Sequence, residues 1–159
     1  MNSYIGAKLI QACEAYKCVS TGKVIYKSDI SEEDAKKKGY DEGYAVKYSD
    51  GYTSWSPKDV FEKAYLKVNP NPSLPSGVSI SQEMVDNFIK EVHVDTIGEK
   101  TTLVRVELVN GFELTDSSSC VDKTNYDEKI GAECCLNKIK DKIWFLLGFL
   151  LQTAYKGVK

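Results

Sequence analysis

Two regular patterns of apolar and polar residues run along the chain, and each predicts elements of a different kind. In the first half, Tyr44, Val46 and Tyr48 alternate with other residues, as in a strand with one buried face. Asp50-Gly51 follows and predicts a tight hairpin turn, because glycine adopts a positive φ without strain. Residues 52–55 then form the returning strand.

A second alternating segment, KTTLVRVELV, predicts a longer strand. Thr102, Val104, Val106 and Leu108 share one face of it. Asn110-Gly111 reverses the chain into a returning strand, FELTDSSSCV. EVHVDTIG, which precedes KTTLVRVELV, predicts another strand of the same sheet. Alternation of this kind is typical of an antiparallel meander with one buried face.

Local signals add short elements. Ile5–Ala12 has the composition of a short strand. Ser31 can cap a short helix that carries acidic residues in its first turn and lysines in its last. Ser56-Pro57 predicts the start of a second short helix. Ser79 and Gln82 can form the capping box of a third helix.

The segment VNPNPSLPSG contains all but one of the prolines and predicts an extended connection, since proline lacks the N–H that a helix or strand needs. The chain is therefore predicted to divide into three parts. Residues 1–67 form a β-rich module with a hairpin and a short helix, residues 68–78 form a Pro/Asn/Ser linker, and residues 79–159 hold a helix, the meander and a long C-terminal helix.

Apolar residues at three- and four-residue spacing predict one long amphipathic helix from about residue 127 to 155. A helix of about 28 residues is about 42 Å long, which exceeds the core of a domain this small. We therefore expect part of its apolar stripe to be covered by another copy of the chain, in a homo-oligomer of two or more subunits. The stripe residues expected between subunits are Ile143, Leu147, Leu150 and Leu151.

Together these elements predict an α+β fold with small antiparallel β-sheets, short helices and the long C-terminal helix. A net charge of −2 lacks the basic footprint of proteins that bind long nucleic acids. The longest apolar run, Ile143–Leu151, is too short to cross a bilayer. The sequence shows no targeting segment, and we expect a cytoplasmic protein.

Candidate chemistry is sparse. Ser-His-Asp or Cys-His catalysis needs a histidine, and His93 is the one histidine of the chain. It lies in an alternating strand pattern, which is more typical of a solvated side chain than of a catalytic one. The five cysteines show neither a zinc spacing nor a disulfide framework. We therefore predict no catalytic residues, no metal ligands and no cofactor. The aromatic residues around the first hairpin are open to two interpretations, a platform for stacked bases or ordinary packing.

Arg105 is the only arginine in the chain. A planar guanidinium suits a carboxylate or a phosphate, which makes Arg105 a candidate ligand-binding residue. The alternative is an ion pair with Glu107 on the same face of the strand.

The C-terminal half carries a KTT strand, an NGFE turn, an S-x-C-V-D segment, an NYD-x-x-x-G helix start and a K-I-W, in that order. In this it resembles the family of early gene products typified by short-tailed enterobacterial phages. The N-terminal YIGAK and DEGYAVKYSDGYTSWSPKDVFEKAY are similar to a second short module of phage and prophage proteins. The two resemblances together cover about two thirds of the chain.

The arrangement also resembles Thoeris anti-defence sponges. This resemblance implies a non-enzymatic protein of the infected host's cytoplasm that holds a cyclic ADP-ribose isomer, or a related cyclic oligonucleotide, without cleaving it. On this ligand class, Phe88 is expected to stack on adenine, Lys100 and Arg105 to meet phosphates, and Asn110 to read a base edge. A structural or protein-docking phage factor and a hydrolase of the same nucleotide are the two alternatives.

Overall fold

The computed structural model describes residues 1–159 and shows an α+β protein. The chain forms two compact units. The first comprises Met1–Lys67 with Ala154–Lys159, and the second comprises Val68–Thr153. Residues 68–78 contain no helix or strand. The predicted fold class is therefore confirmed.

The first unit is a four-stranded antiparallel sheet with two short helices. In chain order its elements are β1 (Gln11–Lys17), β2 (Val24–Tyr26), α1 (Glu32–Lys37), β3 (Asp41–Lys47), β4 (Thr53–Pro57) and α2 (Lys58–Ala64). The strands lie in the order β2-β1-β3-β4.

The predicted capping and packing of this unit are largely present. The Ser31 side chain accepts a hydrogen bond from the backbone N–H of Asp34 at 3.1 Å and so caps α1. Gly51 has a φ of 87° in the turn between β3 and β4. The Tyr44 ring stacks on Phe61 of α2 with centroids 4.1 Å apart, so packing is the role of Tyr44.

Two predicted boundaries in this unit were wrong, and strand pairing explains both. The strand expected at Ile5–Ala12 begins only at Gln11, because its partner Lys47 is the last residue of β3 before the hairpin turn. The helix expected at Ser56-Pro57 begins at Lys58, because both residues pair with β3 instead. In each case the hydrogen bonds of the sheet override the local signal.

The second unit is a three-stranded antiparallel sheet with a short and a long helix. Its elements are α3 (Gln82–Asn87), β5 (Ile89–Ile97), β6 (Thr101–Leu108), β7 (Glu113–Ser119) and α4 (Glu128–Lys156), with the strands in the order β5-β6-β7. Ser81, rather than Ser79, caps α3. The Ser79 hydroxyl instead accepts from the backbone N–H of Asn71.

One face of the sheet packs in the core of the second unit. The four alternating residues of β6 are all fully buried, and so are three residues of α4 in the same core cluster. They are Thr102, Val104, Val106 and Leu108 on the strand and Cys135, Ile139 and Ile143 on the helix.

The burial of two residues of α4 contradicts part of the expected subunit contact. Ile143 is fully buried and Leu147 is 2% exposed, and both pack in the core cluster of the second unit, so neither is free to contact another chain. Leu150, by contrast, is 45% exposed. None of the helices is both long enough and apolar enough to cross a bilayer.

Candidate functional site

Two of the four predicted ligand-binding residues lie on opposite sides of the second sheet. Phe88 is only 9% exposed and packs in the same core as Val104 and Val106. Arg105 lies on the other face, and its Nη1 donates to Glu113 Oε1 at 2.6 Å. Glu107, the partner that the sequence suggested, is bonded to Lys90 instead. The Arg105 side chain is therefore paired, but with a residue of the neighbouring strand.

The other two predicted residues lie at opposite ends of β6. Lys100 directly precedes Thr101, and Asn110 follows Leu108 in the turn to β7. The eight-residue strand between them spans about 24 Å at about 3.4 Å per residue. The structure thus does not bring Phe88, Lys100, Arg105 and Asn110 together in one pocket.

Asn110 has a local role in the turn. Its Oδ1 accepts a hydrogen bond from the backbone N–H of Phe112 at 3.1 Å. Gly111 has a φ of 82°, whereas no residue other than glycine has a positive φ. Gly111 alone therefore supplies the left-handed conformation of this turn.

The outer face around Arg105 is rich in carboxylates. Alternation and register place four of them on this face, namely Glu91, Asp95, Glu107 and Glu113. A phosphate at Arg105 would have to displace Glu113 and approach the remaining carboxylates, which repel it. This face is therefore a poor anion site in the unliganded chain.

Two of the phage-like motifs meet where α4 contacts the start of β6. The Tyr126 hydroxyl lies 3.1 Å from Thr102 Oγ1 and 2.7 Å from Thr96 Oγ1. A Cβ on Gly131 would overlap Thr102 Oγ1 and lie 2.7 Å from Thr102 Cβ. The KTT and NYD-x-x-x-G motifs therefore form a close helix–strand joint of Thr102, Tyr126 and Gly131, which sequence reasoning did not foresee.

Beside this joint the chain forms an open recess, here called the lysine corner, lined by Glu99, Lys100, Val121, Asp122 and Lys123. The backbone N–H of Cys120 donates to the carbonyl of Lys100 at 3.0 Å and so joins the S-x-C-V-D segment to the KTT strand. A two-residue turn centred on Asn110-Gly111 would place Cys120 opposite Thr101. The loop instead contains three residues, Val109 to Gly111, and this places Cys120 opposite Lys100.

The two ammonium groups of the lysine corner differ in their partners. Lys123 Nζ lies 3.1 Å from Glu99 Oε2. Lys100 Nζ donates to the Val121 carbonyl at 3.4 Å and makes no ion pair. Asp122 is occupied locally, since it accepts from both the N–H and the hydroxyl of Thr124, and these bonds lower the pKa of its carboxyl group. Lys100 is thus the charge most available to an anion.

A second surface feature is an aromatic strip formed by Phe112, Phe145 and Phe149. These side chains are 55%, 74% and 68% exposed. Phe112 and Phe145 border a mainly apolar recess that also includes Leu114 and Leu146. Exposed aromatic residues grouped in this way are typical of a surface that contacts another molecule.

Asp116 anchors α4 to β7 beside this strip. Its carboxylate lies 2.8 Å from Lys142 Nζ and 3.3 Å from Lys138 Nζ, and the side chain is 17% exposed. The hydrogen bond from Lys142, more than that from Lys138, holds the pKa of Asp116 below its usual value, although burial opposes the shift.

We expect Asp116→Asn to lower the free energy of unfolding at neutral pH by on the order of 1 kcal/mol. Because the folded-state pKa is lowered, the stabilisation is present above the unfolded value of about 3.9 and is lost as pH falls further. Melting temperatures of the wild type and the variant should therefore converge below about pH 4. A difference in melting temperature that stays constant as pH falls well below about 4 would contradict the assignment.

The titratable groups that could act in catalysis lie apart. His93 Nε2 is 3.5 Å from Glu91 Oε1, and its register partner is Arg105. Cys135 is buried in the core, and burial raises the pKa of its thiol. No group of three or more histidine, cysteine, aspartate or glutamate residues is placed to hold a metal ion.

Comparison with known proteins gives one match. No curated protein and no solved structure matches the chain. Residues 80–155, just under half of the 159 residues, match the model of the Phage protein (N4 Gp49/phage Sf6 gene 66) family. The matched region contains the sheet, the helix–strand joint, the lysine corner and most of α4. This part of the chain is therefore similar to a phage protein family.

Proposed function

We propose that this chain is a phage anti-defence protein that binds a cyclic ADP-ribose-type signal in the host cytoplasm and holds it without cleaving it. The ligand class comes from the resemblance to Thoeris sponges alone, whereas the family match over residues 80–155 supports a phage origin. The observation that carries the proposal is the lysine corner. There, residues of the KTT and S-x-C-V-D motifs surround an open recess with two lysines.

The chemistry of the lysine corner suits the diphosphate of such a ligand. Charge-assisted hydrogen bonds from an ammonium to a phosphate are about twice as strong as neutral ones. Lys100 makes no ion pair, because its ammonium donates to the Val121 carbonyl and Asp122 is bonded to Thr124. Lys123 can exchange the exposed Glu99 for a phosphate at little cost, because such surface pairs are weak. Of the four predicted residues, Lys100 is the one that the proposal retains as a phosphate contact.

Cyclic ADP-ribose isomers should raise the melting temperature by several degrees, because a ligand at 1,000 times its dissociation constant stabilises a fold by about 4 kcal/mol. Linear ADP-ribose should raise it less, since cyclisation reduces the conformational entropy lost on binding. Lys100→Ala combined with Lys123→Ala should remove most of the shift. Lys63→Ala, at an exposed lysine of α2 in the first unit, is the control for a change in charge.

Arg105→Ala tests whether Arg105 contacts the phosphates in addition to the lysine corner. Its pairing with Glu113 predicts a modest loss of unliganded stability and an unchanged ligand shift. Loss of the shift would instead place Arg105 in the site. Ligand recovered intact after denaturing the complex distinguishes a sponge from a hydrolase. If no cyclic ADP-ribose isomer or cyclic oligonucleotide shifts the melting temperature, the sponge proposal is wrong.

The aromatic strip favours a second candidate function, in which the chain is a protein-docking factor. It also favours a homo-oligomer. Phe145 and Phe149 are four residues apart in α4 and so share one face of the helix. Burying these rings against another copy of the chain or against a host protein would remove a large apolar area from water. We propose this strip, rather than Ile143 and Leu147, as the contact between subunits.

A further inference from the structure

The first unit contains a cleft that the proposed function does not use. It has a volume of about 630 Å³, which falls in the range of about 300–1,000 Å³ typical of small-molecule sites. Cys13 of β1 and Ala45 of β3 are register partners, and their small side chains line the base of the cleft. Tyr26 of β2 and Trp55 of β4 line the cleft from the two outer strands of the sheet. Three strand spacings, about 14 Å, therefore separate the two aromatic residues.

The Trp55 side chain lies against the backbone of β3 at Gly43. A Cβ on Gly43 would lie 2.6 Å from the nearest atom of the indole, so the ring rests on the backbone of β3. Lys17 Nζ lies over the ring, 5.1 Å from its centroid. The indole N–H is buried and has no hydrogen-bond acceptor within the chain. Trp55 thus combines a π-face held in place by the sheet, a cation above it and an unsatisfied donor.

The charge of the cleft is opposite to that of the chain. Its lining includes Lys17 and Lys47 and no carboxylate, although the chain as a whole has a net charge of −2. Glu14 and Glu42 belong to the other face of the sheet by alternation. Both contact Lys27 there. Asp41, the register partner of Lys17, is on the cleft face but at its edge, and it does not line the cleft. A cleft lined in this way favours an anion.

We propose that this cleft binds a planar aromatic anion of the nucleoside monophosphate class. The base stacks on Trp55 in place of the Lys17 ammonium, which moves from the ring to the phosphate. Stacking on an aromatic side chain tolerates any base, and the ammonium provides the charge-assisted contact. This site lies in the first unit and goes beyond the sponge activity, which is proposed for the second unit.

Tryptophan fluorescence can test the proposal, because Trp55 and Trp144 are the only two tryptophans. In a Trp144→Phe variant, AMP should quench the emission of Trp55 saturably, and adenosine should bind at least several-fold more weakly. Lys17→Ala in this background should weaken AMP to the level of adenosine. Lys36→Ala, at an exposed lysine of α1, should leave AMP binding unchanged.

Equilibrium dialysis of the wild-type protein against labelled AMP provides a measurement that does not depend on the Trp144 substitution. The proposal is overturned if neither method detects saturable AMP binding up to about 10 mM, ten times weaker than a millimolar site. It is also overturned if AMP and adenosine bind equally, or if the emission depends on protein concentration and not on AMP, which would indicate a second copy of the chain in the cleft. None of these outcomes bears on the melting shift with cyclic ADP-ribose, which depends on Lys100 and Lys123.

Discussion

Leu147→Asp is expected to unfold the second unit. Leu147 is 2% exposed in the core beside Ile139 and Ile143, so an aspartate there would be a buried, unpaired charge. Such a group costs several kcal/mol, comparable with the total stability of a domain, about 5–15 kcal/mol. Circular dichroism should show loss of helix or a large fall in melting temperature. A folded, merely dissociated variant would mean that Leu147 lies between subunits after all.

Phe145→Asp is the matched variant on the exposed side of the same helix. Because Phe145 is 74% exposed, the substitution should leave the melting temperature nearly unchanged. If the aromatic strip joins subunits, light scattering should show that this variant has a lower mass than the wild type. A wild-type protein that is monomeric at high concentration would remove the homo-oligomer proposal and leave the strip available to a different partner.

The second large effect is expected at Gly131. Alanine there should destabilise the second unit by about 1–3 kcal/mol, because its Cβ would overlap Thr102 and force α4 away from β6. Gly148 in the same helix is the control, since nothing lies within 4 Å of a Cβ at that position. Gly148→Ala should stabilise the protein by up to about 1 kcal/mol through helix propensity. Denaturant unfolding should show that the two variants change the free energy of unfolding in opposite directions.

If Gly131→Ala instead stabilises the protein as much as Gly148→Ala does, the close contact with Thr102 is absent in solution. A loss of ligand binding in Gly131→Ala with unchanged stability would assign the glycine to a site instead of to packing.

The second hairpin and the long helix were predictable because their signals are local and strong. Alternation along β6 and the Asn110-Gly111 signal locate the strand and the reversal. The loop has three residues, Val109 to Gly111, so Thr101 pairs with Ser119 and not with Cys120, as a two-residue turn would require. The helix boundaries differ from the prediction by one residue at each end. Ser56 and Pro57 were misassigned because their pairing with β3 depends on a tertiary contact that a local helix-start signal does not contain.

The pairing of Arg105 shows why the candidate site was harder to predict. Sequence spacing offered Glu107 on the same strand, but Lys90 of β5 occupies that carboxylate. Lys90 can do so because the register between β5 and β6 shifts between Ile89 and Glu91, an irregularity that the alternation of residues does not reveal. Phe88 was misjudged for a similar reason. Its position at the end of a short helix gave no sign that its ring packs in the core.

The joint of Thr102, Tyr126 and Gly131 has a consequence for how relatives of this chain should be compared. Its residues are constrained by one another, so a lineage can replace Gly131 only together with a smaller residue at Thr102. Lys100 and Val121 lie beside the joint on an open surface but belong to the KTT and S-x-C-V-D motifs, whereas Lys123 belongs to none of the motifs. Chains recognised by these motifs should therefore share the joint and Lys100, and can differ at the position of Lys123. Their binding preferences should differ in step with the residue at that position.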